Sequence, residues 1–238
     1  MTIDAKYGMQ VHQGLINDHR PFFKFGFNAE ITTAEETIWD GGGIYSYPAT
    51  ATIMKVSSSN AADTSTVVIN GLDADYNEIS ETVTITGQTA VNTTNAYLRV
   101  FRAQVTANSP AGTIYVGTGT VTSGVPANKY AVITAGENQT LMAVYTVPAG
   151  HTAYMFMGTV SCGTSASNKY TTVRLKVREY GQVFCTKAIT TIQNSFNQYD
   201  FGIPLAIPEK ADIEARGITS SGTDSISATF SMVLVKDV

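Results

Sequence analysis

From Ile79 to Ile85 the chain reads Ile-Ser-Glu-Thr-Val-Thr-Ile. An extended backbone puts Ile79, Glu81, Val83 and Ile85 on one side and Ser80, Thr82 and Thr84 on the other. Glu81 on that apolar side calls for a rim position or a hydrogen-bonded carboxylate. Residues 171–180 repeat the device, with Val173, Leu175 and Val177 alternating with Arg174, Lys176 and Arg178. A period of two is the strand period, and no window of helical length combines an apolar stripe with caps and i,i+4 charge pairs. The polar residues agree: 33 Thr and 17 Ser stand against 15 Lys+Arg and 19 Asp+Glu. Such a surface suits strands. The expected fold class is all-β: two β-sandwich or jelly-roll-like domains with an extended N-terminal arm.

Turn clusters divide the chain into strands expected at 51–56, 66–70, 79–86, 96–105, 113–116, 118–122, 130–134, 140–147, 152–160, 171–180, 182–186, 212–218 and 225–235. A further strand is expected at 203–207, but the stretch 203–210 contains Pro204 and Pro208 and so reads as an edge strand or a covering loop. Residues 57–64 and 162–167 read as loops, and 33–40 as a short helical turn before Gly41-Gly42-Gly43. Strand spacings of about 8–12 residues suit a sandwich or jelly roll. The expected organisation is an arm over 1–27, a β-sandwich over 28–145 and a jelly-roll-like sandwich over 146–238. The net charge is −5 before residue 145 and +1 after it. The arm ends in Pro21-Phe22-Phe23-Lys24-Phe25-Gly26-Phe27, whose exposed rings would invite aggregation. That segment therefore lies against its own domain or against a partner chain.

Composition excludes several functions. A chain of 238 residues with 43% hydrophobic content buries a real core and is not a disordered segment. A net charge of −4 and a pI near 5.3 leave no basic field for nucleic acid. No apolar run approaches the ~20 residues that span a bilayer, and the first residues lack a signal-peptide pattern. His12, His19 and His151 have no metal-ligand spacing. Asp73-Ala-Asp75-Tyr-Asn77 opens like a calcium loop, but Glu78 stands where the loop needs Gly and Thr84 where it needs Glu, so turn chemistry explains it. Cys162 and Cys185 read as free buried thiols. Residues 41–43 lack the Lys-Ser/Thr of a phosphate loop, and no Gly-x-Ser-x-Gly occurs. Arg99, Arg102, Arg174, Lys176 and Arg178, with Tyr97, Phe101, Tyr170 and Tyr180 nearby, read as a solvated or intersubunit face. Only two carboxylates converging in a groove would make an enzyme of this chain. The expectation is a non-enzyme that needs no metal and no cofactor.

Three phrases carry a resemblance: Ile38-Trp39-Asp40-Gly41-Gly42-Gly43; Gly71-Leu72-Asp73 with Tyr76-Asn77-Glu78-Ile79-Ser80-Glu81-Thr82-Val83; and Thr93-Thr94-Asn95-Ala96-Tyr97-Leu98-Arg99. Further ones are Gln139–Gly150, Arg174–Phe184, Ile207–Ile213 and Met232–Asp237. Over roughly residues 25–238 the chain is similar to a group of structural proteins from tailed bacteriophages of aquatic environments. The resemblance implies a virion component assembled in the host cytoplasm, on the head, neck or tail. It implies other virion proteins (capsid, connector or tail) as partners, without nucleic acid or membrane. The leading expectation is a capsid decoration or cement protein, homo-oligomeric and trimeric, that binds neighbours through the arm and first domain. Phe22, Phe23, Phe25, Phe27 and Trp39 are the candidate anchors. The alternative is a tail-fibre or other receptor-binding adhesin that grips glycan around 168–170 and 193–199.

Overall fold

The computed structural model describes residues 5–163 and 168–237. Residues 1–4, part of the expected arm, and 164–167, most of an expected loop, lie outside the described set. The elements are α1 (Ala5–His12), β1 (His19–Ile31), β2 (Glu36–Thr37), β3 (Thr52–Ser58), β4 (Thr66–Leu72), β5 (Glu78–Thr84), β6 (Val91–Tyr97), β7 (Arg99–Ala107), β8 (Ile114–Thr122) and β9 (Val125–Ile133). They continue with β10 (Val144–Thr146), β11 (His151–Cys162), β12 (Thr171–Arg178), β13 (Cys185–Ile192), β14 (Phe196–Ile207), β15 (Asp212–Thr219) and β16 (Asp224–Lys236). Among the described residues all strand pairings are antiparallel, and the fold is all-β apart from α1.

Two compact units share the chain, and one is inserted into the other. Unit 1 combines Met1–Ile38 with Ala143–Val238, and unit 2 is Trp39–Met142. This grouping differs from the expected boundaries at 27 and 145. The segment expected as an arm contains α1 and most of β1, a strand paired with β16 from His19↔Val235 to Asn28↔Ile226. Local patterning cannot reveal a pairing between strands some 200 residues apart, so the first strand looked partnerless.

Unit 1 holds two sheets, one in the order β1-β16-β11-β14 and one in the order β10-β15-β12-β13, with β2 also on β15. The period-two pattern works as expected. Ile226, Ala228, Phe230, Met232 and Leu234 of β16 are buried, as are Val173 and Val177 of β12. The strand interrupted by unit 2 is rejoined on β15. There β2 pairs Thr37 with Arg216, and β10 pairs Val144 with Glu214. Between the two halves, Ala215 accepts from Ile38 N–H and donates to the Ala143 carbonyl, both at 2.9–3.0 Å. Ala143 N–H donates in turn to the Ile38 carbonyl at 2.9 Å. Each half also donates a hydroxyl to a buried carboxylate of β15, Thr37 to Glu214 (2.9 Å) and Thr146 to Asp212 (2.6 Å).

Unit 2 holds the sheets β6-β3-β8-β9 and β5-β4-β7 around Met54, Val56, Ile69, Leu72, Ile85 and Ile133. Glu81 lies at a partly exposed position, where its carboxylate accepts the Thr94 and Asn95 N–H groups at 2.6 and 2.8 Å. Asp73 caps its own turn, accepting from the N–H groups of Asp75 and Asn77 at 2.9 Å each, while Tyr76 takes φ 66°. Buried Asp63 accepts from Ser58 Oγ, Ala111 N and Gly112 N at 2.6–3.0 Å. Burial, the largest influence, raises its pKa, but these hydrogen bonds together hold the carboxyl below its ordinary value.

Several expected elements take another form. The helical turn at 33–40 is replaced by β2, and the strand 96–105 is two strands broken at Leu98. The strands 113–116 and 118–122 are one bulged strand, β8. β13 runs on to Ile192, and 203–207 is the end of an edge strand, β14, that begins at Phe196.

Asp40 carries a pH dependence. Its N–H donates to the Leu141 carbonyl, and its Oδ2 accepts the Leu141 N–H at 3.1 Å. Burial pushes its carboxyl up to about 7; the Leu141 hydrogen bond opposes this, and the Glu137 charge adds to it. Because the folded pKa lies above the unfolded one, the stability this group provides is complete below pH ~4 and is lost as pH rises through about 7. After allowance for solvent screening, the loss between pH 5 and 8 is about 2 kcal/mol. Asp40→Asn should flatten that portion of the profile in urea melts followed by fluorescence of Trp39, the chain's one tryptophan. An unchanged slope in the variant would refute the assignment.

Candidate interaction surface

β1 is an edge strand whose alternation sorts the four phenylalanines. Phe22 points inward and stacks on Tyr145, with centroids 4.1 Å apart. Lys24 (1% exposed) and Gly26 follow it into the interior, while Phe23 (50%) and Phe27 (37%) stay exposed with half-buried Phe25 between them. The segment thus faces both ways: one ring joins the core, and three form a column on the outer face. Cross-strand register extends this column into rows. Phe23 lies in line with Ser231, Met157 and Asp200; Phe25 with Thr229, Thr159 and Gln198; and Phe27 with Ser227, Ser161 and Phe196. Hydroxyls pair across the middle strands, Thr159 with Thr229 and Ser161 with Ser227, the latter at 2.7 Å. The face is therefore aromatic along β1 and hydroxyl-rich in the centre. Near the start of β1, a cavity of about 250 Å3 lies between α1 and the β1–β16 pair, lined by Val11, His12, Phe22, Phe23 and Met232.

Trp39, the fifth candidate anchor, is a core residue of unit 2 at 3% exposure. Its Nε1 donates to the carbonyls of Gly42 and Gly43 at 3.1 and 3.2 Å, and its ring meets the edge of Tyr45 at 5.0 Å. A Cβ on Gly41 would lie 2.2 Å from the indole, which explains a glycine there.

At the far edge of the same sheet, β14 is also unpaired on one side among the described residues. Between β13 and β14 the two sheets of unit 1 part around an apolar cavity of about 60 Å3, lined by Val160, Leu175, Ala188, Ile189, Tyr199 and Phe201. Asn197 Nδ2 donates to Thr190 Oγ1 across the mouth at 2.8 Å. Of its lining, Ile189 and Tyr199 are exposed; Phe196 (62%) and Ile203 are exposed elsewhere along β14. The expected glycan segment 193–199 thus forms the start of this edge, and Tyr170 is exposed as well.

The basic residues of β12 are not a freely solvated face. Arg174 and Lys176 pair with Glu35 at 3.2 and 3.6 Å, Arg178 pairs with Asp212 at 2.6 Å, and Arg216 bridges Glu35 and Glu214. The Arg178 and Arg216 guanidinium groups lie 4.6 and 4.8 Å from the Phe184 ring centre. Burial pushes the Glu214 carboxyl up, against the pull of Arg216 and Thr37. The adjacent carboxylates Asp212 and Glu214 are each held by an arginine and a threonine, an arrangement that fixes strands. Arg99 of unit 2 is likewise buried, 5.0 Å from the Tyr47 ring centre, with Nη1 donating to the carbonyls of Pro48 and Leu98. Of the two free thiols, Cys162 is buried as expected and Cys185 is exposed. Residue 185 takes the outward position of an edge strand, which sequence alone did not reveal. Among the described residues, no group of three His, Cys, Asp or Glu side chains is placed to hold a metal ion, and no helix is long and apolar enough to cross a membrane.

No protein-family model and no curated protein matches the chain. Among solved structures, infectious bursal disease virus, Gx strain, is similar with a TM-score of 0.26 at 10% identity, over 92% of this chain and 73% of that one. The PBSX exported protein XepA gives 0.21 at 14% identity, over 88% and 86%. The VP2 subviral particle of infectious bursal disease virus gives 0.20 at 10% identity, over 98% and 82%. Superpositions with TM-scores this low carry no functional argument.

Proposed function

We propose that this chain is a structural component of a bacteriophage virion, a capsid decoration protein that acts by surface binding and not by catalysis. The observation that carries the reading is the column of exposed Phe23 and Phe27 with half-buried Phe25 between them on an open edge strand, a surface suited to a partner chain. Topology supports it. With β2 and β10 counted as one strand, unit 1 has eight strands, and in chain order they stack as 1-8-3-6 and 2-7-4-5. That is the order of a jelly roll, an architecture used by viral capsid and lectin domains. Fold analogy supports a class of role and names no partner. In this reading the anchors are Phe23, Phe25 and Phe27, while Phe22 and Trp39 hold the fold.

The test is co-sedimentation with purified particles on a density gradient. The wild-type chain should band with the particles. A Phe23→Ser/Phe25→Ser/Phe27→Ser variant should keep its far-UV spectrum and lose at least about tenfold in incorporation, as expected when interface aromatics are truncated. A wild-type chain found only at the top of the gradient overturns the reading. The second reading, a tail adhesin, is favoured by the exposed Tyr170, Phe196 and Tyr199. It predicts that particles lacking the chain are stable and fail to adsorb to host cells.

A further inference from the structure

We propose that copies of this chain join head to tail, with β1 of one copy pairing with β14 of the next to give one continuous antiparallel sheet. The inference deepens the reading of the chain as an assembly component and rests on it for its biological setting. Its physical basis is independent of that setting.

The two edges belong to the same sheet, β1-β16-β11-β14, and among the described residues neither has a partner on its outer side. The sheet has four strands, each antiparallel to its neighbour. With an even number of strands, β1 and β14 run in opposite directions, so a second copy placed alongside in the same orientation meets β14 with an antiparallel β1. No strand needs to reverse. An unpaired edge left long and apolar is an aggregation hazard that natural proteins usually block with charges, prolines or bulges. Here the blocks stand at the ends of the usable stretches. Pro21 lies near the start of β1, and the β14 register slips between Asp200 and Leu205. The stretches Phe23–Phe27 and Phe196–Asp200 remain clear.

The side chains suit each other in the simplest register, which continues the rows already present. Phe27 of one copy then lies beside Phe196 of the next, Phe25 beside Gln198 and Phe23 beside Asp200. The first of these is an aromatic cross-strand pair of two exposed rings. Charge agrees. Between His19 and Phe27, β1 carries the exposed Arg20 and no acid, whereas the only charged residue of β14 is Asp200. Main-chain hydrogen bonds supply affinity, and the alternate side chains supply register, as in other cases of strand addition. Because the contact joins two different edges, it propagates, closing into a ring or extending as a fibre.

The test uses the full-length chain in a Cys185→Ser background, which removes the exposed thiol. Phe27→Cys and Phe196→Cys are made singly and together, oxidised gently, and run on non-reducing gels beside light scattering of the wild-type chain. The expected result is a wild-type oligomer and, for the double variant, covalent species larger than two chains, with no cross-linking in either single variant. Cross-linking of Phe27→Cys alone, which stops at two, would show a symmetric β1–β1 contact and overturn the proposal. A monodisperse monomer whose double variant does not cross-link also overturns it. If the double variant cross-links but the wild-type chain never bands with particles, the interface stands and the virion role fails. If a monomeric chain bands with particles, the role stands and the interface fails.

Discussion

Replacing Glu214 by alanine is expected to cost unit 1 about 3 kcal/mol, at the low end for breaking a buried ion pair. Glu214 is completely buried; its Oε1 accepts from Arg216 Nε at 2.7 Å and its Oε2 from Thr37 Oγ1 at 2.9 Å. Truncation strips the neutralising charge from a guanidinium whose side chain is 14% exposed and leaves the buried Thr37 hydroxyl without its acceptor. Arg216 keeps Glu35 at 3.2 Å and the Phe184 ring, so the loss falls short of the upper end of that range. Glu214→Gln keeps an acceptor for Thr37 and should cost roughly half as much, since a neutral hydrogen bond is about half as strong as a charge-assisted one. The measurement is urea unfolding followed by circular dichroism and by Trp39 fluorescence. The alanine variant should move the circular dichroism transition of unit 1 and leave the fluorescence transition of unit 2 in place. An alanine variant within about 0.5 kcal/mol of wild type, the range of an ordinary surface change, would show that the carboxylate does not clamp the split strand.

Gly26→Val is expected to be the most damaging substitution in β1, at about 3 kcal/mol or more, beyond ordinary overpacking. A Cβ at position 26 would lie 2.2 Å from Ala143 N and 2.4 Å from the Ile38 carbonyl oxygen. These are the two atoms whose hydrogen bond closes the chain where unit 1 resumes. Both are backbone, so no side chain can swing aside; either β1 lifts off or that hydrogen bond breaks. Strand glycines mark such close approaches. Thermal melts of Gly26→Ala and Gly26→Val should show losses that grow with side-chain size. A valine variant with wild-type melting would refute the account.

Sequence periodicity was informative wherever one strand face is buried and the other wet. The pattern Ile79, Glu81, Val83, Ile85 and the alternation along Thr171–Arg178 were legible residue by residue. β1 was not, because its phenylalanines occupy both faces and blur the period: half-buried Phe22 turns inward onto Tyr145, while Phe23 and Phe27 are surface. β13 and β14 were blurred for a related reason. As edge strands at the open end of the sandwich, they keep exposed apolar residues such as Ile189 and Ile203. The insertion was invisible because the halves of the interrupted strand are short and meet only on β15. The hydroxyl-to-carboxylate clamps at Thr37 and Thr146 join residues far apart in sequence, and only topology brings them together. Trp39, expected as an anchor, is instead buried, with its indole N–H donated to the carbonyls of Gly42 and Gly43.

The insertion also imposes an order of events on the folding chain. Unit 2 is continuous in sequence, so during synthesis it is complete as soon as Met142 has emerged, whereas unit 1 still lacks most of its strands then and is complete only once β16 has followed. If Trp39–Met142 were a flexible loop, bringing β2 to β10 would cost roughly 4–5 kcal/mol of chain entropy for a closure of ~100 residues. Once unit 2 has folded, the bridge between Trp39 and Met142 holds its ends together and that cost has already been met. Unit 2 then acts as an internal template for unit 1. Its lesions would surface as slow, aggregation-prone closure of strands that lie in the other unit.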